Sequence, residues 1–509
     1  MSETFANNKR IAKNTLFLYF RMLLLMGIGL YTSRITLQTL GVEDFGTYNV
    51  VGGFVAMFSV FTGSLSNAVS RFIQVELGKG NIEKLKEVFA TSVTIQSIMA
   101  FIGILLAEIV GLWFLYNKMN IPQGSEIAAQ WVFHCSVISF AIGLINVPYN
   151  SAIIAHEKMS AFAYISIFEA ILKLCVVFSL ICSPFNKLIT YAVLLLIVSS
   201  FLRLVYWLYC KKHFIECTYK LHLNLNLLKE MGDFAGWNML STLGSVMNNH
   251  GINILMNIFF GVVVNAARGV SNQVNNAIQG LINNFTMALT PVIVKEYAAG
   301  NKSYAFKLVC RGSKYAYLLM FFVSLPIIFE ADYILKIWLK NPPDYSVEFL
   351  RWTIAATLVN VFGNNMYNLV MADGNIKSYQ LVTTLCSLLP FPLTWILFKF
   401  GYPPVSTFII LFVINVLLIF VRFYMAKRVT GLSVRDYIFG TIIKVSLVSI
   451  LSAIFPMLIF ENMEKGFLRF LTVSIACVLS TVIITYLFGL QQEEREVILR
   501  KVMKIFKKK

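Results

Sequence analysis

The chain has 509 residues, of which 58% are hydrophobic and 13% charged, with a mean hydropathy of +0.72. That is more apolar surface than a water-soluble domain can hide, so a soluble enzyme is excluded. Lys and Arg number 43 against 25 Asp and Glu, a formal charge of +18, yet no basic soluble module interleaved with aromatics is present, so nucleic acid is not an expected partner.

Residues 1–13 are polar and basic, and the first apolar stretch is too long for a signal-peptide core and lacks a small-residue cleavage site. It is expected to remain as the first membrane helix. Apolar blocks of roughly twenty residues, each about long enough for a bilayer core, are expected near 14–40, 47–70, 88–116, 127–150, 160–183, 188–210 and 234–259. A second set is expected near 266–290, 315–330, 347–371, 379–398, 405–426, 438–460 and 468–489. The fold class is therefore all-α: a polytopic membrane protein of about fourteen transmembrane helices. Lys and Arg crowd into alternate connecting segments, which puts both termini in the cytoplasm by the positive-inside rule.

Two short matches suggest an internal repeat. Glu76 is followed after three residues by Gly80-Asn81, and Glu296 by Gly300-Asn301 at the same spacing; Ala155-His156-Glu157-Lys158 is echoed by Ala372-Asp373-Gly374-Asn375. Both pairs fall at equivalent places in six-helix units, as in transporters built from parallel repeats. The expected division is a six-helix lobe over 1–213, a second over 214–434, two further helices over 435–489 and a basic tail over 490–509. That tail is expected on the anionic inner leaflet, and residues 333–338 are expected to form an interfacial amphipathic segment. The eight cysteines (Cys135, Cys175, Cys182, Cys210, Cys217, Cys310, Cys386 and Cys477) form no CxxC pair and no cluster with histidine, so neither disulfide, metal nor cofactor is expected. No nucleophile with its base and no Walker loop is present.

Charges inside spans cost about 2.5–3.5 kcal/mol each at helix centre on insertion scales and so mark cavities, partners or interfaces. Glu169 and Lys173 stand four apart in the favourable order for an intrahelical pair and are set aside from substrate contact. Arg351, Arg422, Lys444 and Arg469 lie near span ends and read as snorkelling; Arg203 is left open between snorkelling and cavity. Arg21, Arg34 and Arg268 read as cavity-facing cations suited to an anion, because a guanidinium donates two parallel hydrogen bonds to phosphate. Arg268, Asn272, Asn275, Gln279 and Asn283 recur at helical spacing and lay a polar stripe along the eighth span. Asn249, Asn253 and Asn257 do the same in the seventh, and Asn360, Asn364 and Asn368 in the tenth. Amides both donate and accept, as hydroxyl-rich ligands require; the competing reading is interhelical bonding in a dry bundle. Gly27 and Gly29 allow a bend between Arg21 and Arg34. His134 and His250, with Glu108, are candidates for coupling transport to protons, although a lone membrane histidine more often makes a structural hydrogen bond.

The run from Arg34 to Tyr48, with Leu40-Gly41 and Phe45-Gly46-Thr47-Tyr48, resembles the signature after the first helix of bacterial polysaccharide exporters. Residues 291–301, with Lys295, Tyr297, Ala298 and Gly300, resemble their loop after the eighth helix. The resemblance is to Wzx-type O-antigen flippases of the multidrug/oligosaccharidyl-lipid/polysaccharide exporter superfamily. It implies two lobes around a central cavity and alternating access that moves a polyprenyl-pyrophosphate-linked oligosaccharide across the bacterial cytoplasmic membrane. Arg21, Arg34 and Arg268 would then meet the pyrophosphate, and other polysaccharide assembly proteins would be partners. A lipid II flippase, a multidrug cation antiporter and a membrane glycosyltransferase or polymerase are the alternatives. The scarcity of membrane acids weighs against the antiporter, and the absence of a large outside loop weighs against the enzyme.

Overall fold

The structure is a computed structural model that describes residues 2–58, 80–156, 158–218, 243–298, 300–373 and 376–490, with scattered positions at 69–77, 224–231 and 492–496. Side chains of the first helix are described from Leu23 onward. All regular structure among the described residues is helical, as lipid demands of a chain whose backbone polar groups find no water partners. The helices are α1 (Ser2–Ala56), α2 (Ile82–Leu106), α3 (Leu112–Asn117), α4 (Glu126–Ala155), α5 (Met159–Ile181), α6 (Lys187–His213), α7 (Ile252–Phe260), α8 (Val262–Ala298) and α9 (Lys302–Phe329). They continue with α10 (Ala331–Leu339), α11 (Ser346–Asp373), α12 (Lys377–Leu388), α13 (Pro390–Lys399), α14 (Ser406–Thr430), α15 (Val434–Tyr437), α16 (Ile443–Asn462) and α17 (Phe467–Ile484).

Each expected span meets a helix, in whole or in part, and nine helices among the described residues are long and apolar enough to cross a membrane. Ile109, Ile450, Phe455 and Leu458 stand exposed on such helices, the surface a bilayer covers rather than water. The expected ninth span near 315–330 proves to be the end of a longer helix that starts at Lys302. Lys302, Lys307, Arg311 and Lys314 interrupt the apolar pattern but not the helix, because the buried Lys314 ammonium is matched by Glu494 at 2.9 Å. The amphipathic segment expected at 333–338 is α10. Most of the basic tail, and residues Glu157, Gly374 and Asn375 of the weaker repeat, lie outside the described residues.

The chain forms two compact units. One comprises residues 1–273, 343–345 and 387–407; the other comprises 274–342, 346–386 and 408–509. The first crossing falls inside α8, and Pro390, which starts α13 and cannot donate to an α12 carbonyl, separates α12 from α13 close to the crossing at 386–387.

In the first unit, α1 leaves helical backbone angles at Gly41 (φ 82°, ψ 174°) and not at Gly27 or Gly29, where a bend was expected. Gly41 is the conformation only a residue without Cβ adopts freely. The result is a reversal. A Cβ on Gly29 would meet the Gln273 side chain at 3.2 Å, and one on Gly269 would meet Asn49 at 3.1 Å. Gly29 and Asn49, about 30 Å apart on a straight helix, therefore flank a single turn of α8. Gly261 joins α7 to α8 in nearly the same conformation (φ 80°, ψ −172°), and Gly46 packs against the Val262 carbonyl.

The stronger repeat is visible in backbone geometry. The Gly80 and Gly300 N–H groups donate to Leu77 and Tyr297 carbonyls, both at 3.1 Å, and the Asn81 and Asn301 N–H groups donate to Glu76 and Glu296 at 3.3 and 2.9 Å. Both glycines have positive φ. Each turn is a Schellman helix end, which satisfies carbonyls that the stopped helix would otherwise leave unpaired. Gly261 follows Gly41 by the same interval as Gly300 follows Gly80.

The second unit is centred on an apolar cluster that includes Ile293, Phe362, Met366, Leu369, Tyr379 and Tyr437. Polar side chains cross it in matched pairs, described below.

Candidate functional site

A cavity of about 690 Å³ lies within the first unit, among α1, α4, α5, α6 and the start of α8. Helical spacing explains which residues reach it. On α5, Phe162, Ser166, Glu169 and Lys173 follow one another by four, three and four residues, so they share a face. On α1, Leu25, Gly29, Thr32 and Thr36 do the same before the Gly41 reversal, and Phe45, Tyr48 and Asn49 come back after it. Asn150, Tyr191, Tyr206, Gly269 and Gln273 complete most of the wall. Tyr48 and Tyr191 meet edge to face, with ring centroids 4.9 Å apart, an arrangement favoured by the ring quadrupoles.

The wall is rich in hydroxyls and amides and carries one acid and one base. Lys173 Nζ donates to Glu169 Oε1 at 2.6 Å, with side chains 48% and 35% exposed. The intrahelical pair expected from the spacing is formed, and it faces the cavity. Such pairs contribute only about 0.2–0.5 kcal/mol to a helix, so either partner is free to exchange.

The residues singled out from the sequence are distributed as follows. The Arg21 side chain lies outside the described residues. Arg34 is half-buried and is not among the residues lining the cavity. Arg268 is 2% exposed; its Nη2 donates to the Asn248 carbonyl at 2.6 Å and to that of Asn249 at 3.2 Å. Those carbonyls belong to a π-helical turn, Met247–Gly251, whose wider hydrogen-bond ring disturbs the usual backbone ladder. His250 sits half-buried in that same turn. Asn249 is exposed, with Nδ2 3.4 Å from Ser245 Oγ, and Asn253 donates to the Asn49 carbonyl at 3.3 Å. Asn257 is fully buried and exchanges two bonds with the Asn120 backbone, accepting at 2.9 Å and donating at 3.0 Å. Asn272 is half-buried. His134 Nδ1 lies 2.9 Å from Glu108 Oε1, so two of the coupling candidates form one pair; Glu108 lies in a second π-turn, Ala107–Gly111.

In the second unit, Thr357 donates to Asn275 Oδ1 at 2.9 Å, and Gln279 lies 3.5 Å from the same hydroxyl. Asn368 donates to Thr290 at 2.8 Å, Asn364 is half-buried and Asn283 exposed. Three cations expected to snorkel instead find partners inside the protein. Arg422 donates to Asn360 Oδ1 at 2.8 Å and packs on Gly363. Arg351 donates to the Ile328 and Phe329 carbonyls at 2.9 and 3.2 Å. Arg469 is buried with Glu330, Nε to Oε1 at 2.9 Å and Nη2 to Oε2 at 3.1 Å. Closeness to a span end was a poor guide because these ends are packed by neighbouring helices. Arg203, left open from sequence, stacks over the Tyr149 ring at 4.1 Å.

Thr32, Ser33, Asn49, Asn150, Ser166, Tyr191 and Gln273 are not singled out from the sequence, and Thr36 and Tyr48 enter there only as part of the signature run and not as cavity residues. The signal was present as hydroxyl recurrence along α1 and as Glu169 and Lys173 on the face of Ser166, but single hydroxyls are ordinary in membrane helices, where they bond the preceding turn. Among the described residues no group of three or more His, Cys, Asp or Glu side chains is placed to hold a metal.

A model of the family described as polysaccharide biosynthesis protein matches residues 11–296, and one of the MatE family matches residues 239–396. The uncharacterized membrane protein EpsK of Bacillus subtilis (strain 168) is 30% identical over 101 residues, which span 20% of this chain and 20% of that protein. Among solved structures, the chain is similar to the lipid II flippase MurJ in an inward closed conformation, with a TM-score of 0.67 and 14% identity over 94% of this chain and 98% of that one. It is also similar to an inward-facing multidrug resistance MATE family transporter of the MOP superfamily, with a TM-score of 0.65 and 16% identity over 80% of this chain and 95% of that one. At these identities the likeness is one of fold.

Proposed function

The chain belongs to the polysaccharide biosynthesis protein family, and from that premise we propose that it is a flippase moving a polyprenyl-pyrophosphate-linked oligosaccharide repeat unit, for O-antigen, capsule or exopolysaccharide, across the bacterial cytoplasmic membrane by alternating access. It is a multi-pass membrane protein with the fold of membrane transporters. The observation that carries the reading is the cavity in the first unit. Its Thr, Ser, Asn, Gln and Tyr lining supplies both donors and acceptors, which suits a sugar whose every hydroxyl does both. Tyr48 and Tyr191 add apolar ring surface for sugar C–H groups. A cavity for lipophilic cations would need an excess of acid, whereas Glu169 is matched here by Lys173.

In this proposal Arg21 and Arg34 draw the anionic headgroup towards the cavity by charge. Arg268 acts through the π-turn it holds, setting the positions of Asn249, His250 and Asn253, and Asn272 adds to the polar groups of the first unit; Asn275, Gln279 and Asn364 lie in the second unit, where Asn275 and Gln279 meet Thr357. Glu108 with His134, and His250, are the residues through which protons would be coupled. Both termini face the cytoplasm, and the two six-helix lobes, 1–213 and 214–434, carry the alternation, with 435–489 as two added helices.

The test is deletion of the gene followed by mass spectrometry of polyprenyl-linked intermediates. Accumulation of a completed repeat unit with loss of surface polysaccharide is expected, restored by the intact gene. An unchanged lipid-linked pool with new sensitivity to cationic drugs would replace this reading with that of a multidrug antiporter. Accumulation of lipid II would assign the chain to peptidoglycan.

A further inference from the structure

We propose that Lys173 takes the anionic group of the transported molecule and that Glu169 is its exchange partner, holding the ammonium between loads. The inference rests on the reading above, that the cargo is an anionic lipid-linked saccharide. Its grounds are geometric.

Of the arginines assigned to the anion from the sequence, Arg268 has its guanidinium on two backbone carbonyls at 2% exposure, and Arg34 is not part of the cavity wall. Among the described residues Lys173 is the one Lys or Arg whose side chain lines that wall; the Arg21 side chain is not among them. Its partner is a single carboxylate one turn away at 2.6 Å, and both side chains remain substantially exposed, at 48% and 35%.

The contrast with Arg469 and Glu330 decides what such a pair is for. Those two are 7% and 0% exposed, with one hydrogen bond and a second ion-pair contact at 2.9 Å between them, so separating them strands buried charge. Lys173 and Glu169 share one bond on one helix face, and separating them leaves both beside an open cavity.

Hydroxyls and amides around the cavity serve a neutral sugar, and the Lys173 ammonium adds the full positive charge that an anionic cargo needs. An incoming oxyanion is attracted by Lys173 and repelled by Glu169. Exchange of one carboxylate for another oxyanion keeps the ammonium paired throughout, and the displaced Glu169 carboxylate, 35% exposed, is left facing the open cavity and not buried in the protein. Thr32 and Gln273 line the same cavity and donate to the remaining oxygens, while Ser166, whose hydroxyl donates to the Phe162 carbonyl at 2.7 Å, offers an acceptor. Two parts of the cargo offer an oxyanion, the pyrophosphate and a uronic acid carboxylate, and the same lysine chemistry serves either.

The experiment uses the full chain in nanodiscs of uncharged lipid and follows unfolding temperature against three probes: undecaprenyl pyrophosphate, undecaprenol, and a lipid-free uronic acid tetrasaccharide. Stabilisation by the pyrophosphate probe places the anion in the lipid headgroup, and stabilisation by the tetrasaccharide places it in the sugar; either supports the assignment if it depends on Lys173. Lys173→Ala is expected to raise the half-saturating concentration about tenfold, and Lys173→Arg to stay near wild type. Glu169→Gln removes the competitor and is expected to tighten binding, which keeps the proposal testable if Lys173→Ala does not fold. Equal binding by Lys173→Ala and wild type, unchanged binding by Glu169→Gln, or equal response to undecaprenol overturns it. If deletion of the gene leaves lipid-linked intermediates unchanged, the flippase reading has failed; if they accumulate while Lys173→Ala binds normally, only the lysine assignment has failed.

Discussion

In the second unit Arg469 is clasped by Glu330, Arg422 by Asn360, Lys314 by Glu494 and Asn368 by Thr290. In the first unit the wall around Glu169 and Lys173 borders open space, and its ionic pair is half in view. Both units come from sequences with amides and charges at helical spacing, so the pattern alone does not tell a structural polar group from a functional one. The deciding quantity is whether a polar pair is buried between helices or stands beside open space. A buried pair in a membrane protein fixes the position of helices that van der Waals packing alone would leave free to slide, whereas an exposed pair beside a cavity is available to a ligand.

The largest expected effect breaks the tightest pair. Glu330→Ala strands the Arg469 guanidinium at 7% exposure and should cost about 3–5 kcal/mol, read as a lower melting temperature and loss of monodisperse protein in detergent. Glu330→Ala combined with Arg469→Met removes both charges and should recover much of that loss. No recovery would mean that Glu330 is held for a reason other than its partner.

Next comes the packing of the first unit. A Cβ at Gly46 falls on the Val262 carbonyl, which is backbone and cannot rotate aside. Gly46→Ala should therefore destabilise by about 1–3 kcal/mol, whereas Gly52→Ala, with nothing within 4 Å of the added atom, should not. Thermal unfolding of the two variants side by side checks the difference, and equal melting temperatures would show that the two glycine reversals do not pack as described.

A smaller pair of effects separates the units by kind. Gln273→Leu keeps size and removes an amide from the cavity wall, so transport in a complemented deletion strain should fall several-fold with little change in melting temperature. Asn368→Leu removes the bond Thr290 accepts at 2.8 Å, leaving the one it donates to the Thr286 carbonyl, and should cost about 1 kcal/mol of stability, with transport per folded molecule unchanged. The opposite pattern would mean that the second unit holds cargo contacts and the first does not.

Much of the architecture was legible because its causes are local. Apolar block length marks helices, and the Glu76 and Glu296 turns were found because a Schellman end needs glycine at one position, and that requirement leaves a trace in sequence. The Gly41 and Gly261 correspondence is as regular but was missed, since only the glycine and the following valine repeat. The cavity was harder to see. Its wall is assembled from five helices, and which face of α8 meets α1 depends on Gly29 and Gly269 admitting Gln273 and Asn49. Arg268 and Gly269 are neighbours in sequence about 100° apart around the helix, so attention to the more conspicuous charge pointed one residue away from the wall. Lys173 was set aside because its pairing with Glu169 was read as an end in itself.

The smallest expected effect concerns the last member of the α8 stripe. Asn283 follows Gln279 at helical spacing and from sequence alone is as good a cavity candidate as Asn275. In the structure Asn275 is 8% exposed and accepts from Thr357, whereas Asn283 is exposed and has no side-chain hydrogen bond among the described residues. If partnering is what gives a polar side chain its role, Asn275→Ala should cost about 1 kcal/mol, because it removes one hydrogen bond while the Thr357 hydroxyl keeps the Thr353 carbonyl at 2.9 Å. Asn283→Ala should stay within about 0.5 kcal/mol in stability and near wild type in transport. A transport defect at Asn283 with normal folding would extend the cargo path along α8 beyond the first unit and make the stripe, rather than the α5 face, the track the saccharide follows.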